Sequence, residues 1–343
     1  MVGLALTILF MVPGCISVGG PLPKAPAHHR ARGFANENPA FARPDFWAVQ
    51  AFRARRLWAS ITGSPPAPSF PRVANDGSAL RANRQAATIT WIGHATLLVQ
   101  LDGVNILTDP QFSDRASPVG FAGPRRLNPP GVAFEDLPPI HAVVISHDHY
   151  DHLDRPTVQR LAAAHRPRFF VPLGLKAWFA SLDISDVQEL DWWDSGRVDG
   201  VTFTATPVQH WSARTPFDMN RRLWAGWAIA AGARRLFFGG DTGYYDGFRR
   251  VGERLGPFDL ALVSIAAYEP PSVMAHTHTT PEEALRVFAD VGARTFVAMH
   301  WGTFDLAEEP IDEPPRRLLA AARAEGLPDA RIWLLAHGET RPW

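Results

Sequence analysis

A chain of 343 residues has room for one large domain or two ordinary ones, and with 46% apolar and 20% charged residues it has the proportions of a folded body, which excludes wholesale disorder and a fibrous repeat. Its 34 basic and 34 acidic side chains cancel, so no global cationic field draws nucleic acid to it and no nucleic-acid partner is expected. A single cysteine excludes an intramolecular disulfide and a thiolate zinc cluster, whereas 13 histidines make metal binding through imidazoles and carboxylates the first question to ask.

In chain order, residues 4–12 form an apolar run long enough for a signal-peptide core and too short to cross a bilayer. Val12-Pro13-Gly14-Cys15 follows at once and resembles a bacterial lipobox. That resemblance implies cleavage before Cys15, lipidation of Cys15, and a protein tethered in the bacterial cell envelope at the periplasmic face of the outer membrane. Residues 1–20 are read as signal and tether. Residues 21–84, rich in Pro, Ala and Arg, are read as an arm that wraps the body, with one helix over 41–58 whose Phe46, Val49, Phe52 and Leu57 share a face.

From residue 85 the pattern changes to short apolar or β-branched runs, and 85–343 is read as one hydrolase domain. Strands are predicted at 88–92, 96–101 and 104–107, the last two joined by Asp102-Gly103, a hairpin signal. Further strands are predicted at 142–146, 169–171, 201–206, 225–230, 236–238, 260–263 and 295–298. Helices are predicted at 156–164, 173–181, 245–255, 281–291 and 314–325, several opened by proline. No internal repeat is visible. Hairpins first and mixed elements later predict an α/β fold of two mixed sheets with outer helices.

The run at 142–146 ends in His147-Asp148-His149-Tyr150-Asp151-His152-Leu153-Asp154. A solvated loop would not need three imidazoles, and loops at sheet ends are where scaffolds present ligands. Residues two apart can turn to one side, so His147 and His149 can share one ion while Asp151 and His152 face another, zinc or a similar first-row divalent ion. His210, Asp241 and His300 recur just beyond the runs at 201–206, 236–238 and 295–298. Singly each has a plain reading, His210 as a packed core residue and Asp241 as the start of a turn. Together they complete two sites, with His147, His149 and His210 on one ion, Asp151, His152 and His300 on the other, and Asp241 bridging.

At these spacings the chain resembles the metallo-β-lactamase-fold hydrolases, which implies an αβ/βα four-layer sandwich. Gln209-His210-Trp211, Phe238-Gly239-Gly240-Asp241-Thr242-Gly243-Tyr244, Pro281-Glu282-Glu283-Ala284 and His300-Trp301-Gly302-Thr303-Phe304 are similar to the N-acyl-phosphatidylethanolamine-hydrolysing phospholipase D branch, over about 88–315. Ascorbate-phosphate lactonases share the metal motif, so the resemblance speaks to fold and ligands more than to substrate. It implies a phosphodiesterase with two Zn²⁺ and a hydroxide bridged by them, acting on N-acyl-phosphatidylethanolamine or a related phospholipid. Asp151 counts as ligand and catalytic residue, and His278 as a substrate-side residue that touches phosphate or protonates the leaving group, against a plain reading as a capping or surface residue.

His94 is placed behind the ligands, and Asp154 is expected to orient a ligand imidazole. Trp192, Trp193, Trp211, Trp224 and Trp227 are expected in the core, and Arg125-Arg126 and Arg221-Arg222 as solvated pairs. The competing functions are a small-molecule metallo-hydrolase such as a sugar-phosphate lactonase, and a metal-binding envelope lipoprotein without catalysis. The expected partners are a phosphoester substrate and, through the lipid anchor, a membrane surface; a homodimer is left open.

Overall fold

The computed structural model describes residues 18–22, 24–62 and 68–343; Cys15 and the lipobox lie outside the described residues. The arm begins with a two-stranded ribbon, β1 (His29–Arg30) and β2 (Gly33–Phe34), followed by helix α1 (Phe46–Thr62). The helix starts later than predicted because Pro44 disfavours helix before it and Asp45 accepts the Ala48 N–H at 3.0 Å as a cap. Val49, Phe52 and Leu57 are half-buried, but Phe46 is exposed, with Trp47 beside it 75% exposed. Phe46 therefore does not share the half-buried face expected for all four residues. A short helix α2 (Ser78–Ala82) leads into the sheets.

Strands β3 (Thr88–Gly93), β4 (Thr96–Leu101), β5 (Val104–Thr108), β6 (Ala142–Val144), β7 (Arg168–Pro172) and β8 (Val187–Leu190) build the first sheet. The β4–β5 turn places both Asp102 and Gly103 at positive φ, 49° and 81°, as a two-residue hairpin of this twist requires. Strands β9 (Ser195–Val198), β10 (Val201–Thr206), β11 (Gly226–Ala231), β12 (Arg234–Phe238), β13 (Phe258–Ser264), β14 (Ala293–Met299) and β15 (Ile332–Trp333) build the second, and β16 (Thr340–Pro342) returns to flank β3 in the first. The orders are β16-β3-β4-β5-β6-β7-β8 and β9-β10-β11-β12-β13-β14-β15. Along each order three antiparallel pairings precede three parallel ones. The halves thus share one pairing plan although no sequence repeat is visible, since pairing requires matched burial patterns and not identical residues.

Fully buried Trp91, Leu97, Val99, Phe203, Trp227, Ile229 and Phe237 belong to one continuous core shared by the two sheets. Behind the first sheet, Val158 and Leu161 of α3 (Arg155–Ala164) and Phe179 of α4 (Lys176–Ala180) pack with Val143, Phe169 and Val171. Helix α4 is shorter than predicted because Gly174, at φ +88°, breaks the helical path before it. Helices α5 (Gly247–Leu255), α6 (Pro271–Met274), α7 (Pro281–Asp290) and α8 (Glu313–Ala324) belong to the second half, and α7 contacts β13, β14 and α8. Thr280 and Glu283 close a capping box at its start, with Pro281 in the first turn. This is the αβ/βα sandwich. The parallel strands β5, β6, β12, β13 and β14 leave their sheets at one rim.

Candidate metal centre

That rim gathers the polar residues. The loop leaving β6 carries His147, His149, Asp151 and His152; His210 follows β10, Asp241 follows β12, and His300 follows β14. Gly240 lets the Asp241 loop approach, since at φ +57° a Cβ there would meet Ser146 Cβ at 2.5 Å. His94 and His300 both hold the left-handed backbone, φ 56° and 66°, a conformation that costs free energy for a non-glycine residue and is stored where surrounding contacts enforce it. Those contacts are His300 N–H to His94 O at 3.0 Å and His94 N–H to Thr303 Oγ1 at 2.7 Å.

Two groups result. In the first, His147 Nε2 and His210 Nε2 stand 2.8 and 3.3 Å from His149 Nδ1. Such spacings approach the ~3.3 Å edge of a tetrahedron with Zn–N bonds of about 2.0–2.1 Å. In the second, Asp151 Oδ2 lies 2.9 Å from His94 Nε2, 3.3 Å from His152 Nε2 and 3.4 Å from His300 Nε2. Asp241 Oδ2 stands 3.1 Å from both His152 Nε2 and His300 Nε2, and also shares a group with His210 and His278. Asp241 therefore lies against both sets, where a bridging ligand would have to be.

The electrostatics fit a cation. Burial, with neighbouring imidazoles, pushes His147 and His210 well below the usual histidine range and His149 down to about 4, so all three are neutral, the form that ligates. Burial also acts to lower His152 and His300, but Asp241 and Asp151 outweigh it, holding His152 well above its ordinary value and His300 up to about 9. Besides the hydrogen bond from His94 to Asp151, the two carboxylates are thus offset by charging two buried imidazoles. A divalent cation would supply that charge and leave every ring neutral. Asp241 Oδ1 is buried without a hydrogen-bond partner among the described residues, as a ligand atom would be.

His278 joins this space from the loop between α6 and α7, its Nδ1 3.8 Å from Asp241 Oδ2, without a hydrogen-bond partner and with a ring 12% exposed. Burial pushes it down to about 4. His94 hydrogen-bonds the Asp151 carboxylate, and burial beside His300 pushes it to about 3.

Asp154 requires a correction: it orients no ligand imidazole. It caps α3, accepting from Thr157 N–H at 3.3 Å, and receives Ser113 Oγ–H at 2.7 Å. The orienting carboxylate is Asp109, fully buried at the end of β5, which accepts from His152 Nδ1–H at 2.7 Å and from Ser146 Oγ–H at 2.5 Å, while Ser146 Oγ lies 2.9 Å from His147 Nδ1. Its sequence signal was present, a carboxylate directly after a buried strand. Thr277 O, 2.9 Å from His210 Nδ1, is a backbone partner that no residue type announces.

The arginine pairs are corrected in one member each, since Arg125 and Arg221 are exposed as expected while Arg126 and Arg222 are not. Arg126 is 9% exposed, and Arg222 pairs with Asp148 and Asp218 at 2.8 Å each. With Arg214, which donates to Asp148 O and Leu153 O at 2.8 Å, Arg222 braces the ligand loop from behind. Trp192, Trp224 and Trp227 are core residues, Trp193 packs partly buried, and Trp211 lies against the His149 ring at 4.3 Å. A cavity of about 580 Å³ lined by Tyr150, Arg155, Trp178 and Arg214 is bordered by none of the seven ligand-type residues.

The model of the "Beta-lactamase superfamily domain" matches residues 104–301. An uncharacterized protein of Mycobacterium tuberculosis is 42% identical over 298 residues, 84% of this chain and 79% of its own length. N-acyl-phosphatidylethanolamine-hydrolyzing phospholipase D 1 of Caenorhabditis elegans is 45% identical over 238 residues, 66% of this chain and 67% of its own. Among solved structures, isothiocyanate hydrolase from Delia radicum gut bacteria superposes with a TM-score of 0.60 at 23% identity, covering 75% of this chain and 99% of that one, which is a likeness of fold.

Proposed function

The chain belongs to the beta-lactamase superfamily, as a metal-dependent hydrolase of the metallo-β-lactamase fold, and from that premise we propose that it is a zinc-dependent phosphodiesterase of phospholipase D type, acting on N-acyl-phosphatidylethanolamine or a related phospholipid. The observation that carries this reading is Asp241, whose carboxylate faces the three-histidine group and the Asp151 group together. Similarity to the Caenorhabditis elegans phospholipase supports the substrate class.

His147, His149 and His210 would hold one ion, Asp151, His152 and His300 the other, and Asp241 both; the nitrogen-rich donor set favours zinc. When bound, such a pair lowers the pKa of a shared water and neutralises charge developing on phosphate oxygens. Asp109, Ser146 and Thr277 hold the imidazoles in the tautomers that turn a lone pair inwards. His278 is neutral and turned to the same space, so it donates a hydrogen bond that orients the phosphate. Lipidation at Cys15 and an envelope location at the outer membrane belong to the proposal; a shift of the Cys15→Ala variant from membrane to soluble fraction would support them, and unchanged fractionation would refute them.

The competing reading is a small-molecule hydrolase acting on a compact substrate such as a cyclic ester. The cavity beside His300, about 10 Å³ and lined by Asp305 and Glu309 as well as Ala266, Ala267 and Phe304, has room for no more than a water molecule. The test is a phospholipid panel against a cyclic-ester panel with the zinc-loaded protein. Release of N-acylethanolamine and phosphatidic acid supports the first reading, and turnover of cyclic esters alone overturns it.

A further inference from the structure

The N-terminal arm does more than cover the body. Asn36 reaches from it to the backbone of one ligand residue: its Nδ2–H donates to His210 O at 2.8 Å, and its Oδ1 accepts from His210 N–H at 3.0 Å and from Trp224 Nε1–H at 3.1 Å. A primary amide thus closes a ring of two hydrogen bonds on a single residue, as a neighbouring strand would. It is needed because His210 has left β10 and lies outside every strand of the sheet. Thr277 O takes the ring Nδ1. Every polar atom of His210 is then tied except Nε2, the atom turned to His147 and His149.

The arm is anchored on both sides of Asn36. Upstream, His28 and His29 put their Nε2 atoms on the two oxygens of Asp191 at 2.6 and 2.7 Å, and Phe34 N–H donates to Asn220 O at 2.8 Å. Gly33 permits that approach, since a Cβ there would lie 2.0 Å from Asn220 O. Downstream, Glu37 receives the Tyr245 hydroxyl at 2.8 Å, and Asn38 Nδ2–H donates to Gln209 Oε1 at 2.6 Å. Gln209 in turn donates to His276 O at 3.0 Å, securing the loop that carries Thr277 and His278.

We propose that Asn36 is a positioning residue of the metal centre, delivered by the arm, which sets the direction of His210 and so makes ion retention by the three-histidine group depend on arm docking. This rests on the metal-hydrolase reading given above, but not on the identity of the substrate. Loss of an outer partner of a ligand typically weakens metal binding by ~10- to 100-fold, and Asn36→Ala removes both backbone partners of His210.

The experiment is zinc affinity by chelator competition on the full chain, with melting of the metal-free protein as a separate readout. Asn36→Ala should weaken the ion held by the three-histidine group by about 10- to 100-fold. Asn36→Asp, which keeps the acceptor for His210 N–H and Trp224 Nε1–H, should recover part of that affinity. Gly33→Ala, which disturbs the arm without touching the site, should weaken the same ion. Parent-like affinity in Asn36→Ala overturns the proposal and leaves the metal-hydrolase reading standing. So does a loss that merely tracks a fall in metal-free melting temperature and is not recovered by Asp. Failure of the parent protein to bind zinc at all would overturn both.

Discussion

Replacing Asp109 by Asn should cripple ion binding although Asp109 belongs to none of the seven ligand-type positions. Its Oδ1 accepts Ser146 N–H at 2.6 Å, and its Oδ2 accepts Ser146 Oγ–H at 2.5 Å and His152 Nδ1–H at 2.7 Å. An amide of the same shape offers an oxygen on one side only. With that oxygen on the Ser146 N–H, the new NH₂ faces His152 Nδ1–H, and the conflict is relieved when His152 carries its proton on Nε2 instead, closing the lone pair that faces Asp151 and Asp241. With the amide reversed, the NH₂ faces a backbone N–H that cannot give way, leaving buried donors unmade at about 1–3 kcal/mol. The first arrangement wins, so the ligand is lost while the fold survives. The expected loss in zinc affinity is ~10- to 100-fold, or about 1.4–2.7 kcal/mol. Stabilisation by a ligand follows its saturation, so the gain in unfolding free energy on adding excess zinc should shrink by the same ~1.4–2.7 kcal/mol. Chelator competition and thermal unfolding with and without zinc measure the two quantities independently. Parent-like zinc affinity in Asp109→Asn would refute the reasoning.

Elemental analysis should find two ions per chain in the parent and at most one in Asp241→Asn; two in both would remove Asp241 from the bridging position. His278→Ala should lower phospholipid turnover by up to ~100- to 10,000-fold, and by the same fraction on an activated aryl phosphodiester if the ring orients phosphate; a smaller loss on the aryl ester would assign it the leaving-group proton instead. Asp154→Ala should cost ~0.5–2 kcal/mol of stability as a lost helix cap with zinc content unchanged, and a fall in zinc content would restore it to the metal centre.

Strongly patterned segments were legible without the fold. The hairpin at Asp102-Gly103 and the strands Thr96–Leu101 and Val201–Thr206 follow from local turn chemistry and from apolar or β-branched runs that tertiary contacts had no reason to override. The strands that carry no legible pattern are short: His29–Arg30 and Gly33–Phe34 form the ribbon of the arm, and Val187–Leu190, Ser195–Val198, Ile332–Trp333 and Thr340–Pro342 are the edges of the two large sheets, where partial exposure leaves too few apolar residues to make a pattern.

The seven ligand-type residues were legible for a related reason: polar side chains directly after buried strands stand out against the run that precedes them. Their supports did not. Asp154 and Asp109 are equally plausible partners for an imidazole on composition alone, and only the packing of β5 beside β6 puts Asp109 under His152 while the start of α3 claims Asp154 as its cap. Asn36 lies 174 positions from His210 in an arm without strand pattern, so its contact exists only once the chain has wrapped round the sandwich. Residue type and local spacing therefore determined which groups could bind an ion, since that chemistry is written in side chains, whereas the direction each lone pair faces depends on hydrogen bonds between distant segments and was decided by the tertiary structure alone.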